Sequence, residues 1–207
     1  LVLPTTDGAL SRRFGVLITM ACLFPSMLLF LRRKKIPGVA TGPAWRLMGI
    51  IFGTIFFLTF TPTKWIHHFG LFAAVGAAMA ALATVLMGPT IARSARNRMA
   101  FLSAVLFVVA LCFASTNGWW YVSSYGVPFN DSTPYLGPVT VSGVFFGLFL
   151  LTALCAGLLH VMPAAREPRV VRLLTTAPVP IAAGFMVIVF VASLTIGMIR
   201  EYPTYSN

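Results

Sequence analysis

Apolar residues are concentrated in six long stretches of the chain, separated by short polar or basic segments. The stretches lie near Phe14–Leu31, Trp45–Phe60, Trp65–Met87, Met99–Thr116, Val139–Met162 and Val179–Ile199. A helix needs about 20 apolar residues to cross the hydrocarbon core of a bilayer. Proline and glycine mark the predicted breaks: Ile36-Pro37-Gly38, Pro62, Gly88-Pro89, Gly137-Pro138 and Ala177-Pro178. The pattern predicts an all-α, polytopic transmembrane helical bundle of about six spans over residues 1–207.

The composition supports a membrane protein. Of the 207 residues, 58% are hydrophobic and 9% charged, whereas soluble domains carry about 25% charged residues. The three cysteines, Cys22, Cys112 and Cys155, all fall within predicted spans, where they are expected to pack as small apolar residues. The chain begins at Leu1, and we expect it to be part of a longer protein.

Basic residues are concentrated on one side of the predicted bundle. Eleven of the fifteen lie on one side: Arg32, Arg33, Lys34, Lys35, Arg46, Arg93, Arg96, Arg98, Arg166, Arg169 and Arg172. Because cytoplasmic loops carry an excess of lysine and arginine, this side is predicted to be cytoplasmic. Both chain ends and residues 61–65, 117–138 and 200–207 then face outward. The net charge of +11 is explained by topology, which disfavours nucleic-acid binding, although the loops can contact anionic lipids.

The first outward loop carries the strongest candidate site. Thr61 before Pro62 fits a helix N-cap followed by proline at the first helical position. Lys64 would lie in the first turn and His67 and His68 in the second, with Trp65 beside them. A lysine there is unfavourable, because the N-terminal end of the helix dipole is positive. A bound anion would offset this cost. The segment predicts a site for an anionic group, such as phosphate, formed by Lys64, Trp65, His67 and His68.

Simpler interpretations of this segment remain open. Lys64 can extend to the membrane surface, Trp65 can be an interfacial aromatic residue, and the histidines can be ordinary polar residues. Adjacent histidines point in different directions on a helix, and the spacing of a zinc-binding helix is absent, so no metal site is expected. No cofactor is expected in this part of the protein.

The second outward loop carries Trp119, Trp120, Tyr121 and Asp131. Interfacial aromatic belts account for the three aromatic residues without any further role. Asp131 is either a turn residue in Asn130-Asp131-Ser132 or a group that reaches a nearby site. The other carboxylates, Asp7, Glu167 and Glu201, also lie outside the spans. A proton-coupled transporter would need ionisable groups inside the spans, so the position of the carboxylates disfavours this function.

Several motifs resemble one family over essentially the whole chain. The residues from Phe60 to Gly70, FTPTKWIHHFG, and those from Asn117 to Val122, NGWWYV, followed by Gly126-Val127-Pro128, resemble two outward loops of the mycobacterial Emb arabinosyltransferases. Arg12-Arg13-Phe14-Gly15, Ile36-Pro37-Gly38-Val39-Ala40 and Arg200-Glu201-Tyr202-Pro203 are similar to that family in the same order.

The resemblance implies that the full-length protein is a GT-C glycosyltransferase of the plasma membrane and a target of ethambutol. Such an enzyme transfers arabinofuranose from decaprenyl-phosphate arabinose to the arabinan of arabinogalactan or lipoarabinomannan. It also implies a homo- or heterodimer and an acyl carrier protein on the cytoplasmic side. This chain would be the last membrane helices, and the family's catalytic aspartate would lie upstream, so the chain alone should be inactive.

The resemblance also implies roles for the candidate residues. Lys64, His67 and His68 would bind the donor phosphate, with Trp65 beside the sugar or lipid, while Trp119, Trp120, Tyr121 and Asp131 would border the acceptor side. Two other functions remain open: a transporter or flippase of a lipid-linked sugar, and a non-catalytic scaffold subunit.

Overall fold

A computed structural model describes residues 9–33, 36–61, 70–119, 125–162 and 168–205. The helices in these ranges are α1 (Leu10–Arg32), α2 (Thr41–Thr59), α3 (Phe72–Ala92), α4 (Ala95–Phe113), α5 (Val141–Val161), α6 (Arg169–Thr176) and α7 (Pro178–Tyr205). All except α6 are long and apolar enough to cross a membrane. The predicted all-α bundle with six spans is confirmed.

The ends of several elements differ from the predicted ones. Helix α3 continues through Gly88-Pro89 to Ala92, where a break was predicted. Proline removes one backbone donor, and a helix in an apolar environment tolerates this loss near its end. Helix α7 continues through residues 200–205, which were predicted as a tail. The loop before α5 contains an antiparallel hairpin of β1 (Tyr135–Leu136) and β2 (Val139–Thr140), and α6 was not predicted.

The described residues form two compact units, residues 1–14 with 94–207 and residues 15–93. In the first unit, α4 and α5 pack along their length through aromatic rings. Phe113 stacks on Phe145 with ring centroids 5.5 Å apart, and Phe185 of α7 contacts both rings. Ser103 and Ser142 donate hydrogen bonds across the pair to the carbonyls of Phe149 and Ala110. These bonds fix the register of the two helices.

Side-chain caps determine where α4 and α5 begin. The Ser94 hydroxyl accepts the Asn97 amide at 3.2 Å, and the Thr140 hydroxyl accepts the Gly143 amide at 3.1 Å. Each cap satisfies one of the free amide groups that a helix N-terminus leaves unpaired. Because β2 ends at Thr140, the cap also connects the hairpin directly to α5.

The second unit contains the remainder of α1 with α2 and α3. Gly76 of α3 lies against Thr19 of α1, whose buried hydroxyl donates to the Gly15 carbonyl at 2.6 Å. Near the other end of α1, Phe30 packs on Trp45 with centroids 5.8 Å apart. Helix α3 is rich in small residues. Gly76 is buried in this way, whereas Ala73, Ala74, Ala77 and Ala81 are exposed in this chain.

Gly76→Ala should destabilise the protein, because a β-carbon at this position collides with the Thr19 hydroxyl. We expect a loss of about 1–3 kcal/mol, as for overpacked cores. Gly49→Ala is the matched control, since it lies inside α2 with no atom within 4 Å of its β-carbon; it should be neutral or stabilising. Thermal unfolding of the full-length protein in detergent tests the pair, and equal melting temperatures would contradict the packing.

Candidate functional site

The structure describes part of the predicted site. Lys64, Trp65, His67 and His68 lie outside the described residues, as do Trp120 and Tyr121. Trp119 and Asp131 are described, the first buried and the second exposed. The described residues include those that flank residues 62–69 and the core of the loop formed by residues 117–138.

An apolar groove lies beside the residues that flank the first loop. It has a volume of about 520 Å³ and is lined by Ile50, Gly53, Thr54, Phe57, Leu58, Thr61 and Leu71. Thr61 and Leu71 lie on either side, in sequence, of the segment that carries Lys64 and the two histidines. The Thr54 hydroxyl donates to the Ile50 carbonyl at 2.8 Å, so it offers little polarity to the groove. The groove suits a hydrocarbon chain.

Arg13 holds the end of α4 in place. Its Nη1 atom donates to the carbonyls of Cys112 and Thr116, both at 3.2 Å. Carbonyls in the last turn of a helix lack backbone donors and carry partial negative charge, so a guanidinium group is a favourable partner. This contact joins the start of α1 to the point where the second outward loop begins.

Trp119 anchors the beginning of that loop. It is 8% exposed and packs with Ala9, Val127, Phe190 and Leu194; its ring centroid is 5.3 Å from that of Phe190. The guanidinium carbon of Arg12 lies 4.7 Å from the Trp119 ring centroid. Such a cation–π contact stabilises by roughly 0.5–2 kcal/mol. The adjacent residues Arg12 and Arg13 thus contact neighbouring parts of one segment, which runs from the end of α4 to Trp119.

Asn117 connects the loop to α7. Its backbone amide donates to the Phe129 carbonyl at 2.7 Å. Its side-chain Nδ2 donates to the Pro128 carbonyl at 3.1 Å and to the Ser193 hydroxyl at 2.9 Å. Ser193 in turn donates to the Val189 carbonyl at 2.7 Å. Because Asn117 and Ser193 are buried, these bonds replace water and hold the two ends of the loop together.

Gly126 brings the loop into direct contact with the backbone of α7. Its φ angle is +68°, and a β-carbon there would lie 2.7 Å from the Gly197 carbonyl oxygen and 2.9 Å from Cγ of Glu201. Arg200 donates to the Gly126 carbonyl at 3.5 Å. Residues 200 and 201 therefore belong to the last turns of α7 and support the loop.

The outer surface of the loop is exposed and mixed in character. It presents Asp131, Tyr125, Tyr135 and Leu136. The Phe129 ring meets the Tyr135 ring edge-on with centroids 5.3 Å apart, which links the hairpin to the Asn117 network. An aromatic surface with one carboxylate can bind a neutral polar ligand such as a sugar. Within the described residues, no group of three or more His, Cys, Asp or Glu side chains could hold a metal ion.

Three of these supporting residues had no role in the sequence analysis: Arg13, Asn117 and Gly126. All three appear in the motifs of the family resemblance. A polar residue directly after an apolar span and a glycine within an aromatic loop are local signals of such contacts. Each of them, however, also has a partner 71 to 103 positions away in the chain, as the Arg13–Thr116 and Gly126–Gly197 contacts show.

Gly126→Ala should release the second loop from α7, because the added methyl group collides with the Gly197 carbonyl. Gly137→Ala is the matched control: its φ is +60°, but no atom lies within 4 Å of its β-carbon. Both changes carry the backbone strain of about 1–2 kcal/mol, and Gly126→Ala adds the clash. Chymotrypsin cleavage next to Tyr125 in the folded protein measures the difference. Equal cleavage rates in the two variants would contradict the close approach.

The chain matches a known family over most of its length. Residues 1–162 match the family described as mycobacterial cell wall arabinan synthesis protein. The chain is 66% identical over 208 residues to the probable arabinosyltransferase B of Mycobacterium avium, covering all of this chain and 20% of that protein. It is 43% identical over 205 residues to the probable arabinosyltransferase C of Mycolicibacterium smegmatis, covering 97% of this chain and 19% of that protein.

A solved structure has the same fold. The chain superposes on the cryo-EM structure of arabinosyltransferase EmbB from Mycobacterium smegmatis with a TM-score of 0.79 and 67% identity, over 90% of this chain and 18% of that one. The chain thus spans about a fifth of the length of the relatives it matches. The resemblance found in the outward-loop motifs is confirmed, and the chain belongs to the mycobacterial cell wall arabinan synthesis protein family.

Proposed function

We propose that the full-length protein is a membrane arabinosyltransferase and that this chain supplies part of its donor site. The observation that carries the proposal is 66% identity, over the whole chain, to a probable arabinosyltransferase. The reaction would transfer arabinofuranose from decaprenyl-phosphate arabinose to the arabinan of arabinogalactan or lipoarabinomannan.

The chemistry assigns a role to the first outward loop. When the sugar leaves its carrier, negative charge develops on a lipid phosphate at the membrane surface. Lys64, His67 and His68 supply cationic or hydrogen-bonding groups that stabilise this charge, and Trp65 packs on the sugar or the lipid. The general base that takes the proton of the acceptor hydroxyl would be an aspartate upstream of this chain.

The groove beside α2 fits the remainder of the donor. Its lining is mostly apolar, and two of its residues, Thr61 and Leu71, flank the phosphate-binding segment in sequence. A polyprenyl chain would lie in this groove with its phosphate at the loop. Burial of each methylene group contributes about 0.8 kcal/mol, so even a short part of the polyprenyl chain adds to the affinity for the donor.

The second outward loop is assigned to the acceptor side. Trp119 is buried, so it holds the loop in place, while Trp120, Tyr121 and Asp131 contact the arabinan acceptor or an extracytoplasmic domain. Both ends of the chain and these loops would face outward from the plasma membrane. A dimer with a related subunit and an acyl carrier protein on the cytoplasmic side complete the assembly.

His68→Ala in the full-length enzyme should lower kcat for arabinose transfer about 100-fold, the usual effect of removing one group that stabilises developing charge. Donor binding should weaken as well. His160→Ala is the control, because His160 is an exposed histidine in the last turn of α5, in contact with Arg96. Normal transfer and normal donor binding in His68→Ala would reject the donor site and favour a scaffold role.

Gly53→Leu should fill the groove beside α2, since Gly53 lines it and no atom lies within 4 Å of the Gly53 β-carbon. We expect a higher KM for the decaprenyl donor and an unchanged KM for a donor with a short lipid chain. Gly49→Leu is the control on the same helix, outside the groove lining. A variant that impairs both donors equally would show a structural defect and contradict the assignment of the lipid chain to this groove.

A further inference from the structure

Helix α6 has three distinct faces within eight residues. Val170, Leu173 and Leu174 lie at positions i, i+3 and i+4 and form an apolar stripe. Arg169, Arg172 and Thr176 lie at i, i+3 and i+7 and form a polar stripe. Val171 and Thr175 lie on the third face, and Thr175 is fully buried. We call the first two faces the apolar stripe and the arginine stripe.

The apolar stripe is uncovered in this chain, although α6 packs on α4 and α7 through other residues. Val170 and Leu173 are each 67% exposed and Leu174 is 43% exposed. Val161 and Met162, at the end of α5, are exposed as well. Three large apolar side chains on one short helix would be unfavourable in water, since full burial of each contributes about 1.5–3 kcal/mol.

The position of α6 in the chain identifies the medium that covers the stripe. Only Ala177 separates α6 from α7, and residues 162–168 separate it from α5; both of these helices are long and apolar enough to cross the membrane. At about 12 Å, α6 is too short to cross the membrane itself. Its neighbours α5 and α7 therefore place it next to the membrane boundary, and the lipid leaflet is an apolar medium within reach of the stripe.

Charge identifies the kind of lipid. Residues 163–176 contain three arginines and one glutamate, and Arg169 and Arg172 are exposed on the stripe next to the apolar one. The hydroxyls of Thr175 and Thr176 donate to the carbonyls of Val171 and Arg172 at 2.8 and 2.6 Å, so neither hydroxyl needs water. This arrangement, apolar residues on one side and arginines beside them, is typical of helices that lie in the headgroup region.

We propose that α6 is an in-plane membrane helix that inserts Val170, Leu173 and Leu174 into the lipid leaflet and binds anionic phospholipid headgroups through Arg169 and Arg172. This site is separate from the donor and acceptor loops, and it sets the depth at which α7 enters the membrane. Its occupancy does not depend on arabinose transfer.

The first test measures depth in the membrane. Spin labels are placed at Val170→Cys and, as the matched control, at Thr176→Cys on the arginine stripe, with Cys155→Ala in both full-length proteins. The proteins are reconstituted in vesicles of phosphatidylcholine with phosphatidylglycerol. Collisions with oxygen should dominate at residue 170 and collisions with a water-soluble nickel complex at residue 176. Equal nickel accessibility at both positions, or protection of residue 170 from both reagents by the remainder of the full-length protein, would overturn the proposal.

The second test measures the charge contribution without relying on the labelled variants. Phosphatidylglycerol is titrated into the purified full-length protein, and bound lipid is counted by native mass spectrometry. Arg172→Gln should weaken binding about fivefold, which corresponds to the ~1 kcal/mol contributed by one arginine near an anionic surface. Arg172→Lys should keep most of the affinity. Arg200→Gln removes the same charge at the other end of α7, and an equal loss in this control would overturn the headgroup assignment.

Discussion

The structure depends on one constraint: a backbone polar group has no water to bind inside a bilayer, so each interruption of a helix needs a partner from the protein. The end of α4 shows how this is met. Its last carbonyls are free of backbone donors, and the Arg13 guanidinium donates to two carbonyls there. The loop that follows would expose the carbonyls of Pro128 and Phe129, and Asn117 donates to both. Two polar side chains therefore allow an irregular segment to lie against apolar helices.

The same constraint explains why the loop is attached to α7 and does not extend freely. Asn117 also donates to the hydroxyl of Ser193, which lies in the middle of an apolar run and itself donates a hydrogen bond to the Val189 carbonyl. Nearby, Gly126 and Gly197 lack side chains, which permits their backbones to approach closely. Hydrogen bonding and close packing act at neighbouring points on α7, so the surface carrying Asp131 and Tyr135 is held by contacts buried beneath it.

Features that each segment encodes in its own sequence could be predicted, whereas contacts between distant residues could not. The six spans follow from apolar length, which each segment carries by itself, and they were predicted correctly. The ends of α3 and α7 were predicted too early in the chain, because Pro89 and Pro203 favour breaks while the neighbouring residues continue the helix. Helix α6 was missed because its stripes occupy eight residues within a basic segment. The Arg13–Thr116 and Asn117–Ser193 contacts join residues 103 and 76 positions apart, and no pattern in one sequence specifies such pairs. The roles of Lys64, His67 and His68 rest on motif and chemistry, and they remain predictions.

The two ends of the unit formed by residues 1–14 and 94–207 are held together by different kinds of contact. At the loop end, the contacts are buried or partly buried, and water competes with them weakly. At the other end, Arg96 meets Nδ1 of His160 at 2.7 Å on the exposed surface. Exposed contacts of this kind contribute little to stability. The end that carries the loop of residues 117–138 is thus preorganised by its buried contacts, whereas the contact between Arg96 and His160 at the other end is exposed.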